Sequence, residues 1–418
     1  MDKYKQKIGF SYFVSPKRFI RKQLMDWMAA IQKSGASMVT FKANFDNAIP
    51  EDAFIIAQEN GLEPVVHFTS ELPLARKFND IAILLDVYIK WGVNNIIFGD
   101  KPNTRQAWPV AGWHYENLVD HFIDRFIPLA NFTVQKGAYP VFAPLHPGGD
   151  YWDTAFMELA LTALRQRRLD EILENLVLAC YGYTFNKPLT WGSGGPQRWP
   201  FSKPYHTPDG QEDQCGFMNF EWAQAQSEKA TGMKKPVLII NSGCPGTVFS
   251  QPERNVTLRA MRDIHSACRD AGAQVEDQVL INFDDSVLNV GFSLPTIEKI
   301  IGVEFSPKHF VEMWQSEKLE SEKIIAGGDI QKVIPHYLLL PSHASGVSDV
   351  VLNKVRPLIK KYHPTVGFSI EEAAHAQKVS IYPDPLLFSQ EQINELRSLG
   401  CIVEELPETG IDIAMSLQ

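Results

Sequence analysis

The sequence predicts an α/β protein built on a closed (β/α)8 TIM barrel, followed by a small α/β C-terminal domain. Short apolar runs alternate with segments of helical periodicity, which is the pattern of strand–helix units with right-handed crossovers and a parallel sheet. Eight such repeats fall within roughly 290 residues, and this favours a closed barrel over an open sheet. The first predicted strand is not followed by the motif GxGxxG, and the motif GxxxxGK[ST] does not occur in the sequence. A nucleotide-binding sheet is therefore disfavoured.

The predicted barrel strands are short and mostly apolar. They cover residues 8–14, 38–42, 63–69, 96–98, 139–145, 176–182 and 236–241, with the eighth at either 279–283 or 287–292. The predicted helices between them cover 17–33, 50–60, 80–91, 115–136, 152–168, 217–231 and 253–271. A long loop rich in Gly, Pro, Trp and Lys is expected over residues 184–216.

The character of the sequence changes past about residue 325. We expect the barrel to occupy residues 1–325 and a small α/β domain of unknown role to occupy residues 330–418, with Gly327-Gly328 as the boundary. Within the second domain, strands are predicted at 378–382 and 401–405 around a helix over 390–399. Ser369 is predicted to cap a further helix, because acidic residues follow it at the third and fourth positions.

Composition and charge exclude several classes of partner. The chain has 418 residues and a net charge of −9, with no basic stripe, so nucleic acid and anionic membranes are not expected partners. No apolar run approaches the ~20 residues that a membrane span needs. The first residues lack the apolar core of a signal peptide, so a cytoplasmic location is expected, with secretion by another route left open.

The cysteines and histidines do not predict a metal site or a cofactor. The five cysteines are widely spaced, odd in number and form no CxxC, so we expect buried free thiols. His67, His146 and His206 are linked by no HxH or HExxH spacing. A lone histidine at a strand end is more often a hydrogen-bonding pocket residue than a metal ligand.

The end of the fourth predicted strand is the most informative stretch. Residues 93–103 read VNNIIFGDKPN, in which an apolar run ends in charged residues and Pro102 stops the strand. In a parallel barrel the loops after the strands build the active face. Asp100 and Lys101 are therefore candidate catalytic residues. Because strand residues alternate in direction, we expect these two side chains to point to opposite sides of the sheet.

These residues resemble a motif of retaining glycosidases of the (β/α)8 class. The fourth strand of that family ends in Asn-Glu-Pro-Asn with the Glu as acid/base, and here residues 100–103 read DKPN, with Lys101 at the Glu position. The seventh strand of the family commonly ends in Thr-Glu-x-Gly with the Glu as nucleophile. Here residues 240–243 read INSG, which places Asn241 at the nucleophile position.

The resemblance extends to the loops after the fifth and sixth strands and covers roughly residues 7–290. The stretch HPGGDYWD at 146–153 is similar to a Pro-Gly-Gly-Asp loop of bacterial glycosidase-like barrel proteins, and the loop that begins YGY at 181–183 is similar as well. The order of the motifs along the chain carries the resemblance. It implies a carbohydrate ligand for this barrel.

The two substitutions imply that ordinary retaining hydrolysis is lost. That mechanism needs two carboxyl groups roughly 5 Å apart. Lysine is a cation at neutral pH, and asparagine cannot form a glycosyl ester. Displaced acids that could take over are Asp150, Asp153, Glu221 or the pair at 284–285, although a solvated carboxylate or a helix cap is the more common role of such residues.

Residues that would bind the substrate lie in the same loops. The loops after strands four, five and six hold Trp108, Trp113, Trp152, Trp191 and Trp199. Aromatic faces stack on sugar rings, although any one of these rings could instead pack its loop onto the barrel. The candidate substrate-binding residues are Asn103, His146, Asp153, Trp152, Tyr181, Tyr183, Trp191 and Trp199.

Three other functions remain open at this stage. The first is an active glycoside hydrolase that uses Asp150, Asp153 or Glu221. The second is a structural or assembly scaffold, in which the C-terminal domain would contact a protein partner. The third is a flavin or folate barrel reductase, because residues 67–69 and 99–102 faintly resemble methylenetetrahydrofolate reductase. Fold similarity alone does not choose among these functions.

Overall fold

The computed structural model describes most of the chain. The described residues are 7–43, 48–69, 78–246, 254–269, 274–275, 279–280, 283–301, 305–315, 332, 334–341, 348–384, 388 and 390–406. The chain divides into two compact units, Met1–Ser316 and Glu317–Gln418. The predicted boundary at Gly327-Gly328 lies outside the described residues.

The first unit contains a closed barrel of eight parallel strands in the order β1-β10-β7-β6-β5-β4-β3-β2. The strands are β1 Ile8–Ser11, β2 Met38–Ala43, β3 Glu63–Phe68, β4 Asn95–Phe98, β5 Tyr139–Leu145, β6 Val177–Tyr181, β7 Val237–Ile240 and β10 Val287–Ser293. The predicted (β/α)8 fold is therefore confirmed. Strands β1, β4, β6 and β7 are buried at every residue, as expected for strands that pack side chains on both faces of the sheet.

The eighth barrel strand is the second of the two predicted alternatives. In β10, Val290 lies opposite Ile8 of β1 on one side and Ile239 of β7 on the other, and these pairings close the barrel. The other alternative overlaps the short strand β9, Val279–Leu280, which pairs antiparallel with β8, Gln274–Val275, in a separate ribbon.

Helices surround the barrel and pack aromatic side chains on it. They are Arg21–Lys33, Glu51–Glu59, Phe78–Lys90, Val110–Trp113, Leu118–Gln135, Asp153–Gln166, Asp170–Asn175, Gly195–Arg198, Asn219–Thr231, Arg254–Arg269, Leu294–Ile301 and Pro307–Gln315. Phe54 packs 5.5 Å from Phe41 of β2, and Phe122 packs 5.4 Å from Phe142 of β5, between ring centroids. The helix predicted over 17–33 is broken, because Ile20 is extended between a 3-10 turn and the α-helix.

Apolar side chains fill the barrel interior below the carboxyl ends of its strands. Val65, Ile97, Val141, Ala179 and Leu238 belong to one buried cluster drawn from five neighbouring strands. Such layers make a TIM barrel a packed core and not a pore. A ligand can therefore approach the interior only at the ends where the packing stops.

The second unit is a small α/β domain, described here by itself. Its parallel sheet has the order β12-β11-β13-β14, with β11 Ile334–Leu339, β12 Thr365–Gly367, β13 Ala376–Ile381 and β14 Ile402–Glu405. Its helices are Asp349–Tyr362, Ile370–Ala373 and Gln390–Ser398. The Ser369 side chain accepts a hydrogen bond from the Glu372 amide at 3.2 Å, which confirms the predicted cap.

Two further sequence-based expectations concern cysteines and membranes. All five cysteines are free; Cys180, Cys244 and Cys401 are buried as predicted, whereas Cys215 and Cys268 are only partly so. In the part of the chain that the structure describes, no helix combines the length and apolar character needed to cross a bilayer.

Candidate functional site

The candidate site lies at the carboxyl ends of the barrel strands, where polar side chains replace the apolar layers. Its centre is a pair of stacked rings at the end of β6. Tyr181 and Tyr183 have ring centroids 4.5 Å apart and ring planes 12° from parallel. Both side chains are buried, and burial raises the pKa of each hydroxyl, so both tyrosines are neutral at physiological pH.

Asp100 and Lys101 both contact this tyrosine pair from the end of β4. The Tyr181 hydroxyl donates a hydrogen bond to the Asp100 carboxylate. The Lys101 Nζ lies 4.8 Å from the centroid of the Tyr181 ring and 5.4 Å from that of Tyr183. The expectation that Asp100 and Lys101 point to opposite sides of the sheet is therefore wrong.

The backbone after β4 explains why the alternation fails. The strand ends at Phe98, and both Gly99 (φ 95°) and Lys101 (φ 51°) have positive φ. Alternation of side chains holds only in extended chain. Lys101 is fixed in this conformation because its amide donates to Pro144 O at 3.0 Å and its carbonyl accepts from the Thr104 amide at 2.9 Å.

Asn241 reaches the same tyrosine pair from the end of β7. Its side chain lies close enough to the Tyr183 hydroxyl to oppose the rise in the pKa of that hydroxyl that burial causes. Asn241 also has positive φ, at 51°. Lys101 and Asn241, the two positions that the glycosidase resemblance makes catalytic, therefore both lie beside Tyr183, at the ends of β4 and β7.

His67 and Lys42 complete the polar cluster from β3 and β2. The His67 Nε2 donates to Gly99 O at 3.0 Å, and burial lowers the pKa of His67 to about 4, although Asp100 opposes this shift. His67 is therefore neutral at pH 7 with its proton on Nε2. Lys42 lies opposite His67 in the β2–β3 register, and its charge further lowers the pKa values of His67 and Lys101.

Sequence analysis missed Lys42. Its signal was a single cation at the end of an otherwise apolar strand. Cys244, expected to be a buried free thiol, also lies in this region; burial raises its pKa to about 12, so it is a neutral thiol and not a nucleophile at pH 7.

The Lys101 amine is held in an environment that disfavours its charge. Its side chain is partly buried, and this burial is the main cause of a lowered pKa, to which Lys42 adds; Asp100 opposes the shift. Among the described residues, the Nζ atom makes no salt bridge and donates no hydrogen bond, and its contacts are the two tyrosine rings.

Asn103 and His146 join the loops after β4 and β5. The buried Asn103 amide donates to His146 O at 2.8 Å and to Tyr151 O at 3.0 Å, and its oxygen accepts from the His146 amide at 2.8 Å. These bonds place the His146 ring 5.9 Å from the Tyr183 ring. Asn103 thus positions the two loops through every polar atom of its side chain.

Three of the candidate acids bind backbone or side-chain donors in the loops. Asp150 accepts from the Arg105 amide at 2.9 Å, Asp153 accepts from Gln214 Nε2 at 3.0 Å, and Glu221 accepts from the Gly194 amide. In the described part of the chain, no contact joins any of the three to the tyrosine pair.

The fourth candidate, the pair at 284–285, lies at the other end of the barrel. Asp284 directly precedes β10, whereas the tyrosine pair follows β6, and in a parallel barrel these are opposite ends. Asp284 pairs with Lys234 at 2.7 Å and caps the turn by accepting from the Ser286 amide at 2.9 Å.

Four of the five loop tryptophans fall into two groups. Trp108, Trp191 and Trp199 donate their indole N–H to protein acceptors, at Pro102 O, Asp213 Oδ1 and Ser193 O, at 2.7 to 2.8 Å. Trp152, by contrast, is 46% exposed and lies 4.9 Å from the ring of Tyr205, which is 68% exposed. Trp152 and Tyr205 therefore form an exposed aromatic pair, which we call the aromatic platform.

No grouping of His, Cys, Asp and Glu that could hold a metal ion occurs among the residues for which the structure gives side-chain positions. The polar cluster consists of one carboxylate, two amines, a neutral imidazole, an amide and two tyrosine hydroxyls. They belong to Asp100, Lys42 and Lys101, His67, Asn241, and Tyr181 and Tyr183.

The fold and the site together define a (β/α)8 barrel with a polar cluster at its carboxyl-terminal mouth. No family model matches the chain, and no curated protein matches it. Among solved structures, fructose-bisphosphate aldolase from Plasmodium falciparum is 8% identical with a TM-score of 0.39, over 73% of this chain and 86% of that one. A glycoside hydrolase is 11% identical with a TM-score of 0.36, over 69% and 87%.

A third solved structure of the same kind is a GH39 enzyme from Xanthomonas axonopodis pv. citri. It is 9% identical, with a TM-score of 0.39, over 69% of this chain and 58% of that one. Likenesses at this level carry no argument about activity. The barrel assignment rests on the closed strand order, and the functional argument rests on the site.

The buried carboxyl of Asp153 makes stability depend on pH. Burial raises the pKa of Asp153 to about 6, above the unfolded value near 4, because the folded chain favours the neutral carboxyl. The contribution of this group to stability is therefore complete below about pH 4 and is lost as pH rises through 6. In Asp153→Asn this loss is absent. We expect the free energy of unfolding of the variant, relative to wild type, to rise by on the order of 2 kcal/mol between pH 4 and pH 7.

Urea unfolding at pH 4, 5, 6 and 7 measures this difference. Asp153→Asn retains an oxygen that can accept from Gln214, so the bond in the folded chain is kept. A difference between variant and wild type that stays constant across the four pH values would contradict the prediction.

Proposed function

We propose that the barrel mouth binds a carbohydrate and does not carry out ordinary retaining glycoside hydrolysis. The observation that carries this proposal is that Lys101 and Asn241, at the ends of β4 and β7, both lie beside Tyr183. These are the two strand ends at which the glycosidase resemblance expects the acid/base and the nucleophile.

The available carboxylates support the loss of hydrolysis. Retaining hydrolysis requires one carboxylate that attacks the sugar and a second carboxyl that protonates the leaving oxygen, about 5 Å apart. In the described part of the mouth, the tyrosine pair is contacted by one carboxylate, that of Asp100, which accepts the Tyr181 hydroxyl. The half-buried Lys101 amine supplies neither function at a glycosidic bond.

Two features support carbohydrate as the ligand. The aromatic platform exposes the rings of Trp152 and Tyr205 to solvent, and aromatic rings stack on the apolar faces of sugar rings. Trp152 follows β5 and so lies at the same end of the barrel as the polar cluster, where Asp100, Asn241 and His146 offer acceptors and donors for hydroxyl groups. An aromatic surface beside a small set of polar groups is typical of a ligand site.

The aromatic platform can be tested by its tryptophan. We expect oligosaccharides from a broad panel to change intrinsic fluorescence, and Trp152→Ala to weaken the binding about five-fold or more, since a stacking contact contributes about 1 kcal/mol. Fluorescence and calorimetric titrations measure both effects.

The matched control for this test is Tyr139→Ala. Tyr139 is an aromatic residue with nearly the same exposure, 47% against 46% for Trp152, but it is the first residue of β5 and therefore lies at the opposite end of the barrel. We expect this variant to bind as wild type does. Equal weakening in both variants, or no binding by any glycan, would contradict the proposed site.

The absence of retaining hydrolysis is tested with chromogenic glycosides. Wild type should release no chromophore above the buffer rate, because the second carboxyl of the mechanism is missing from the cluster. Asp150→Asn, Asp153→Asn and Glu221→Gln are measured in parallel. Wild-type turnover that one of these three substitutions abolishes would overturn the proposal and assign an active hydrolase with displaced acids.

A further inference from the structure

The Lys101 amine is the most chemically distinctive group in the candidate site. It lies at the barrel mouth, partly buried, against the faces of Tyr181 and Tyr183, and makes no salt bridge among the described residues. A lysine that serves only to bind an anion is normally solvated or paired. The backbone of Lys101 also adopts the left-handed conformation, with φ of 51°, which is strained for a non-glycine residue and is concentrated at functional sites.

The charges around Lys101 favour the neutral amine. Burial is the largest influence, and the nearby Lys42 acts in the same direction, so the pKa of Lys101 lies below its ordinary value. Desolvation and a neighbouring cation are the two means by which proteins activate lysine as a nucleophile. A neutral amine in this position can attack an electrophilic carbon, whereas an ammonium group cannot.

We propose that Lys101 forms an imine with the carbonyl group of an aldehyde or ketone bound at the barrel mouth. The proposal rests on the carbohydrate site proposed above for its choice of substrate class: the open-chain form of a reducing sugar carries such a carbonyl. The site would then act on a carbonyl carbon, and the glycosidic bond would not be its target.

The step balances without any further reactant. The Lys101 Nζ attacks the carbonyl carbon, a C–N bond forms, and the π electrons of the carbonyl move to oxygen. One proton passes from nitrogen to that oxygen to give a carbinolamine. The second nitrogen proton and the hydroxyl group then leave as water, and the C=N bond forms.

Asp100 and Tyr181 are placed to assist the proton transfers. The Asp100 carboxylate acts on the Lys101 amine electrostatically, and it accepts the Tyr181 hydroxyl, whose ring lies against Nζ. The carboxylate can take the proton that nitrogen loses and return it to the departing oxygen. His67 is neutral at pH 7 and donates its Nε2 proton to Gly99 O, so it does not compete for that proton.

The experiment uses reductive trapping on the full chain. Glyceraldehyde and dihydroxyacetone are the probes, sodium cyanoborohydride at pH 7 reduces any imine to a stable amine, and peptide mass mapping locates the adduct. We expect Lys101 to be labelled at least ten-fold faster than the exposed Lys308, whose side chain is 87% exposed. Labelling of Lys101 at the same rate as Lys308, or no labelling of Lys101 by either probe, would overturn the proposal.

Two arginine variants form a matched pair of controls. Lys101→Arg keeps a long nitrogen-bearing side chain but has no amine that forms an imine, so the fast adduct should disappear. Lys308→Arg should leave the fast adduct unchanged. Fast labelling that persists in Lys101→Arg would assign the reactive amine to another lysine and overturn the proposal.

The role of Asp100 is tested by the pH profile of trapping. In Asp100→Asn the carboxylate that raises the pKa of Lys101 is gone, so the pH midpoint of labelling should move down. Its maximal rate should fall several-fold, since the proton acceptor is also lost. A midpoint that moves up toward the ordinary lysine value would indicate instead that the variant exposes Lys101 to solvent, and would contradict this role.

Failure of the imine step can be told apart from failure of the carbohydrate site. Methyl glycosides have no free carbonyl, so their fluorescence titration against wild type measures binding alone. Binding of a methyl glycoside without trapping at Lys101 overturns the imine proposal only. Trapping at Lys101 without binding of any glycoside overturns carbohydrate as the ligand class and keeps the reactive amine.

Discussion

The stacked pair of Tyr181 and Tyr183 is the contact on which the candidate site depends. The two rings are buried at the end of β6, and buried hydroxyls require hydrogen-bond partners. Asp100 supplies the partner of the Tyr181 hydroxyl from β4, and the Asn241 side chain lies beside the Tyr183 hydroxyl at the end of β7. The rings also form the surface on which the Lys101 amine rests. The two buried tyrosine hydroxyls therefore bring together side chains from the ends of β4, β6 and β7.

The backbone at the ends of β4 and β7 makes this convergence possible. Lys101 and Asn241 both have φ of 51°, so each turns its side chain out of the pleat of its strand. This conformation costs about 1 kcal/mol at each position and must be held by the surroundings. After β7, Gly243 also has positive φ, and a Cβ there would meet the Met261 backbone nitrogen at 2.9 Å, so the chain closes against the next helix only with glycine. The strand ends are thus fixed by the barrel around them.

Much of the fold follows from periodicity, whereas the site depends on geometry beyond the strands. Apolar runs alternating with helical segments are sufficient to predict a barrel, because burial on both faces leaves a strong signal. The eighth strand could not be chosen from sequence, because both candidate segments are apolar and only pairing with β1 and β7 separates them. Asp100 and Lys101 were expected on opposite sides of the sheet, which is wrong because the backbone from Gly99 to Lys101 is not extended. Lys42 gave only the weak signal of one cation in an apolar strand.

The local charges bear on the chemistry that we propose for the lysine at this position. Lys42 carries a positive charge, His67 is neutral at pH 7, and Asp100 carries the negative charge that faces them. A protonated Lys101 would leave a net positive charge in a partly buried cluster, which is unfavourable because desolvation penalises unpaired charge. The lowered pKa of Lys101 acts in this direction, because a neutral amine would remove that excess. A carboxyl at the same strand end would protonate an oxygen, whereas the neutral amine that we propose would react with an electron-poor carbon. On this proposal, the strand end with Pro102 and Asn103 directs a different reactive group at the bound ligand.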